Sequence, residues 1–126
     1  MLCCATAMLY DFQTQSFLSD GVLSPIELIR RAHVNGYTAM AITDHVGTGG
    51  LDQLLARLRD DCLLAQEEWG ITVFPGVELT HLPPRVIPEA AARARAAGAV
   101  LVLVHGETPV ESVVPGTNLA AVQCDD

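Results

Sequence analysis

At 126 residues, 50% hydrophobic and 5% aromatic, the chain has a one-domain length and a core of Ala, Val, Leu and Ile, which excludes a disordered chain. Seven basic against 15 acidic residues give a net charge of −8, too few cations for a nucleic-acid-binding patch. An acidic protein with an anionic substrate needs a local positive charge, and a bound metal ion is one source.

The opening MLCCATAMLY has no basic leader, and its apolar run is too short for a signal peptide or a membrane span. Residues 1–7 read as an extension before a partial domain over 8–126. Cys3, Cys4, Cys62 and Cys124 have no CxxC spacing and adjacent cysteines pair poorly. They read as reduced thiols of a cytoplasmic protein without a cysteine zinc site.

The first predicted strand is MLYDF (8–12), running into Gln13, Thr14 and Gln15 and the turn Ser19-Asp20-Gly21. In an extended segment the two glutamines point the same way. SPIELIRRAHVNG (24–36) has a helix's punctuation: Ser24 as cap, Pro25 in the first turn, Glu27 three residues on and Gly36 as stop. TAMAIT (38–43) is a buried strand. From Leu51, the residues Leu54, Leu55, Leu58, Cys62, Ala65 and Trp69 share one helical face, which Gly70 ends. ITVFPGVEL (71–79) is a third strand, with a bend or bulge expected at Pro75-Gly76. PEAAARARAAG (88–98) is a third helix, and AVLVLVH (99–105) a fourth strand, apolar on both faces. The tail from Thr108 ends in a short helix. Apolar strands separated by helices imply parallel β/α packing.

Polar groups stand where each strand stops: Asp11, Gln13 and Gln15, then Asp44 and His45, then Glu78, then His105 and Glu107. In parallel α/β folds the carboxyl ends of the strands share one face, and sites form there. Four consecutive strands thus deliver titratable or metal-capable groups to one rim.

These residues resemble the polymerase and histidinol phosphatase (PHP) domain family. Its members look like D-x-H-x-H-(S/T)…SDG, then AITDH, then GVE, then a His ending the next strand. Here the corresponding stretches are DFQTQSFLSDG, AITDH, FPGVEL and LVHGE, in that order. The resemblance implies the amino-terminal part of a distorted (β/α)7 TIM-like barrel with parallel strands. It also implies divalent metal ions (zinc, manganese or iron) at the strand ends and hydrolysis of a small phosphorylated substrate, such as histidinol phosphate or a nucleotide. By position, Asp20, His45, Glu78 and His105 match family metal ligands, with Glu78 bridging, and Asp44, His45 and Glu78 fall to the catalytic set. Gln13 and Gln15 stand where the family has its first two histidines.

A glutamine offers only a neutral amide oxygen, a weaker donor to zinc than imidazole nitrogen. The family's later ligands, a fifth-strand His and an Asp-x-His pair, have no counterpart before Asp126. The expectation is a phosphoesterase with impaired, sub-stoichiometric metal binding; the alternative is an inactive PHP-like domain with a binding or regulatory role. His33 and His81 read as solvent or packing residues; Glu107 and Glu111 read as rim-lining groups or, the favoured reading, exposed loop charges; Arg85 reads as a phosphate contact or, more simply, a solvated side chain. Half a barrel leaves two open sheet edges, a route to self-association, and an aliphatic inner face in water.

Overall fold

A computed structural model describes residues 8–124. The extension over 1–7, with Cys3 and Cys4, lies outside the described residues. The elements in chain order are β1 (Leu9–Thr14), α1 (Pro25–Val34), β2 (Tyr37–Val46), α2 (Leu51–Trp69), β3 (Thr72–Leu79), α3 (Ile87–Ala96), β4 (Leu101–Val104) and α4 (Thr117–Val122). A 3-10 turn at Pro84–Val86 leads into α3. The strands form one parallel sheet in the order β1-β2-β3-β4, curled into a half-barrel.

Local chemistry sets the helix ends. The Ser24 hydroxyl accepts from the Glu27 backbone N–H at 3.3 Å, capping α1 as the sequence predicts. Gly70, in the left-handed region, closes α2. The predicted face of α2 is the buried one: Leu51, Leu54, Leu55, Leu58, Cys62 and Ala65 pack against the sheet. Each fully buried leucine contributes roughly 1.5–3 kcal/mol. Burial pushes the Cys62 thiol up to about 12, so this cysteine is an inert core residue. Arg93 of α3 pairs with Asp52 at the start of α2 and donates to the Thr48 carbonyl at 3.1 Å, pinning the loop after β2.

Of the bend or bulge expected at Pro75-Gly76, the bulge is absent: β3 keeps unbroken register with β2 from Ala39↔Thr72 to Val46↔Leu79. The Pro75 carbonyl accepts from Val100 N, on the β4 side, and β4 first pairs one residue later, at Gly76↔Leu101. The missing proline N–H therefore costs no ladder bond. Gly76 answers a close approach instead, because a Cβ there would lie 2.7 Å from the Leu101 carbonyl oxygen. The irregularities fall in β1, whose register against β2 shifts between Leu9 and Tyr10 and again between Asp11 and Thr14.

The open inner face matches the aliphatic expectation only in part. The aliphatic residues Met40, Ile42, Val73 and Val77 are buried in the core. Exposed on the other side are Tyr10 and Phe12, stacked at 5.8 Å, with Phe12 6.2 Å from Phe74. Phe12, Phe74, Val100 and Leu101 line a cavity of about 250 Å³ there. No helix among the described residues is long and apolar enough to cross a membrane.

Candidate metal centre

Register builds the centre. β2 and β3 pair in parallel with His45 opposite Glu78, and Glu78 is opposite Leu103 of β4. His105 follows β4 directly and extends the ladder, its N–H donating to the Leu79 carbonyl at 2.9 Å. Since side chains alternate along a strand, His45, Glu78 and His105 all reach the same rim. One donor atom from each lies within 4.8 Å of the other two.

Glu78 is the centre of this group and is 4% exposed. Its Oε1 lies 3.1 Å from His105 Nδ1. Its Oε2 accepts from the amides of Gln13 at 3.3 Å and Gln15 at 3.2 Å. A buried carboxylate must be partnered, and here imidazole and amide donors do it. The Thr80 hydroxyl donates to the Glu78 carbonyl at 3.0 Å, so at 2.7 Å it accepts from His45 Nδ1–H. That bond leaves the lone pair of His45 on Nε2. His105 is held between carboxylates, Glu78 on Nδ1 and Glu111 on Nε2, the latter at 2.9 Å. The Glu78 bond holds its pKa above the ordinary imidazole value, burial works against this, and Glu111 adds to the rise.

Two imidazoles and one carboxylate suit a divalent cation. Three protein ligands with an open position are the pattern of catalytic zinc, and the same set suits iron. The triad is thus capable of holding one such ion. Gln13 and Gln15 turn their side-chain N–H groups toward Glu78, donors at the place where the resemblance expects ligands.

The other predicted residues divide. Asp20 stands at the margin, strongly exposed, with Oδ2 3.7 Å from His45 Nε2. Asp44 is fully buried and faces the loop after β1. Its carboxylate accepts from Ser16 N, Ser16 Oγ and Ser19 Oγ, each at 2.7 Å, so it fastens the segment carrying Gln15 and Asp20. His33 packs on Trp69, ring centroids 6.3 Å apart. Glu107 accepts from Gly116 N and Asn118 N at the start of α4. Arg85 is exposed in the 3-10 turn.

Thr80 and His81 reach the centre with no signal in the sequence that places them there, and Glu111 takes the rim position, the less favoured of its two sequence readings. Thr80 is two residues beyond Glu78 and so shares its side of the strand. His81 Nε2 lies 3.5 Å from Glu111 Oε2, and its ring is 5.9 Å from that of His105. No periodicity ties a loop glutamate to a strand-end histidine six residues earlier.

No family model matches the chain. An uncharacterized protein of Methanocaldococcus jannaschii is 44% identical over 124 residues, covering 94% of this chain and 55% of the relative. A 5'-3' exoribonuclease of Haemophilus influenzae is 38% identical over 71 residues, 56% of this chain and 23% of that protein. An error-prone DNA polymerase of Nocardia farcinica is 34% identical over 103 residues, 82% of this chain and 8% of that protein. The chain spans about half the length of the first of these relatives and less of the others.

Proposed function

We propose that the chain is the amino-terminal part of a PHP-type, metal-dependent phosphoesterase. The observation that carries this reading is the His45/Glu78/His105 cluster at the ends of adjacent parallel strands. The likeness to a protein named as an exoribonuclease supports it, because that name denotes phosphodiester cleavage. His45, Glu78 and His105 would hold the cation. When bound, it supplies a Lewis acid for phosphate oxygens and a more acidic water.

The chain's own groups do the positioning. Thr80 keeps His45 in the tautomer with a free Nε2. Asp44 ties down Ser16 and Ser19, and so the approach to the cluster past Asp20. A phosphate engaged at this rim would meet the His45 and His105 imidazoles, and the positive charge of a cation held there, in an otherwise acidic molecule. The substrate class is a phosphate ester presented end-on, since a net charge of −8 disfavours tracking along a polynucleotide.

One observation favours the second reading, an inactive domain that binds. The Gln13 and Gln15 amides already partner Glu78 Oε2, leaving that carboxylate less free for a cation. Metal analysis of purified protein, with turnover of p-nitrophenyl phosphate and of a 5'-phosphorylated oligoribonucleotide under added Mn²⁺ or Zn²⁺, tests both. One bound equivalent with slow turnover abolished by Glu78→Gln is expected. Bound metal without turnover selects the inactive domain, and no metal binding at all removes the phosphoesterase reading.

A further inference from the structure

We infer that Glu111 is a positioning residue for the metal centre, orienting His105 so that Nδ1 faces the cation; this rests on the metal-binding reading above. His105 has a carboxylate on each nitrogen, Glu78 on Nδ1 at 3.1 Å and Glu111 on Nε2 at 2.9 Å. Glu78 is buried and groups with His45, whereas Glu111 lies outside that cluster and is half-exposed. The cation side of the ring is therefore Nδ1. Nε2–H donates outward to Glu111, which sets the tautomer, holds the ring plane and makes Nδ1 a stronger donor. A histidine ligand that gives its other N–H to a carboxylate is the usual way a protein fixes such a ring.

The loop after β4 is built to hold Glu111 there. The Thr108 hydroxyl accepts from the backbone N–H groups of Val110 at 3.3 Å and Glu111 at 3.1 Å. Both ends of the loop are clamped. Asn118 Oδ1 accepts from Glu107 N at 2.9 Å, and Glu107 Oε1 accepts from Gly116 N and Asn118 N at 3.0 and 3.1 Å. Gly106 sits close beneath this clamp: a Cβ there would lie 2.8 Å from Asn118 Oδ1 and displace that side chain. The segment GETPVE…PGTN, otherwise unexplained, thereby acquires a purpose.

His81 supplies the second support. It is the only non-glycine with positive φ among the described residues, at 55°. Side chains in that region are strained, and such strain persists where the surroundings demand it. Here it brings His81 Nε2 to 3.5 Å from Glu111 Oε2, closing a chain from His81 through Glu111 to His105.

Titration of the metal-free chain with Co²⁺, read by its visible d–d bands, tests the assignment. Glu111→Gln should weaken Co²⁺ binding by about 10–100-fold, with band positions and intensity kept because the ligand set is unchanged. Glu111→Asp should recover part of the loss, and His81→Gln should weaken binding less than Glu111→Gln. Unchanged affinity in Glu111→Gln, alongside loss of binding in Glu78→Gln, overturns the inference and leaves the metal centre standing. A collapse of the band intensity in folded Glu111→Gln makes Glu111 a direct ligand and also overturns it. Failure of the parent chain to bind Co²⁺ removes the metal reading itself. Should Glu111→Gln fail to fold by circular dichroism, the Glu111→Asp and His81→Gln affinities decide, and parent-like values in both overturn the inference.

Discussion

Gln15 donates its side-chain amide to Glu78 Oε2 at 3.2 Å, joining the end of β1 to the end of β3. Gln13 does the same at 3.3 Å. The pair thus presents N–H hydrogens to a buried carboxylate, roughly what a cation would offer it, without offering an imidazole lone pair. Replacing both, Gln13→His with Gln15→His, places strong nitrogen donors beside Glu78. The double variant should carry more Zn²⁺ per chain than the parent, by elemental analysis after dialysis, with binding improved more than turnover. Equal loading in the two proteins would show that the β1 positions are not aimed at a cation.

Asp44 makes three hydrogen bonds of 2.7 Å while fully buried. Asp44→Asn keeps the shape but turns one acceptor oxygen into a donor facing a donor. The cost should be about 2 kcal/mol, as for hydrogen bonds to charged groups, or a Tm fall of roughly 5–10 °C. Thermal denaturation followed by circular dichroism measures it. A Tm equal to the parent's would mean the loop after β1 does not depend on this carboxylate.

The alternation of strands and helices was legible because each element carries its own chemistry. Ser24 and Gly70 bound their helices, and the leucines of α2 share one stripe. The gathering of His45, Glu78 and His105 was legible too, since parallel strands end on one face. What escaped was tertiary. Pro75-Gly76 reads as a bend or bulge until β4 is seen to start one residue later. His81 reads as a loop residue, and Glu111 as a loop charge ahead of a rim group, because their roles depend on how a loop folds back. The inner face mixes Tyr10, Phe12 and Phe74 with Val100 and Leu101, because the β2 and β3 aliphatics went to the helix side.

His105 gives the pH dependence its sign. In the metal-free chain its folded pKa lies above the ordinary 6.5, chiefly through the Glu78 hydrogen bond and then through Glu111. A raised folded pKa means stability fully present below pH 6.5 and lost as pH rises through the folded value. Metal-free protein should therefore lose this contribution on going from mildly acidic to mildly alkaline buffer, and His105→Gln should lack the trend. Divalent cations compete with the proton, so metal affinity should climb over the same window. Melting curves of parent and variant across pH 5.5–8.5, without metal, check the first part. A parent whose difference from His105→Gln widens as pH rises would reverse the assignment.

Gly21 is a steric requirement of the loop that carries the β1 end of the site. Its φ is not positive, so any cost of substitution comes from contact rather than backbone strain. A Cβ at Gly21 would lie 2.2 Å from the Gln15 carbonyl oxygen and 2.8 Å from the Ser16 carbonyl carbon. These are backbone atoms and cannot rotate away. Gly21 N also donates to the Ser16 carbonyl at 2.9 Å, closing the turn on itself. Gly21→Ala must push residues 15 and 16 aside, at about 1–3 kcal/mol. That shift moves the Gln15 amide off Glu78 and loosens the Ser16 bonds to Asp44, so metal affinity should change along with Tm. Gly49→Ala is the control, because a Cβ there meets nothing within 4 Å, and its effect should stay within about 0.5 kcal/mol. Equal Tm values for the two variants would refute the tight packing of this loop, and a lower Tm for Gly21→Ala with parent-like metal affinity would uncouple the loop from the centre.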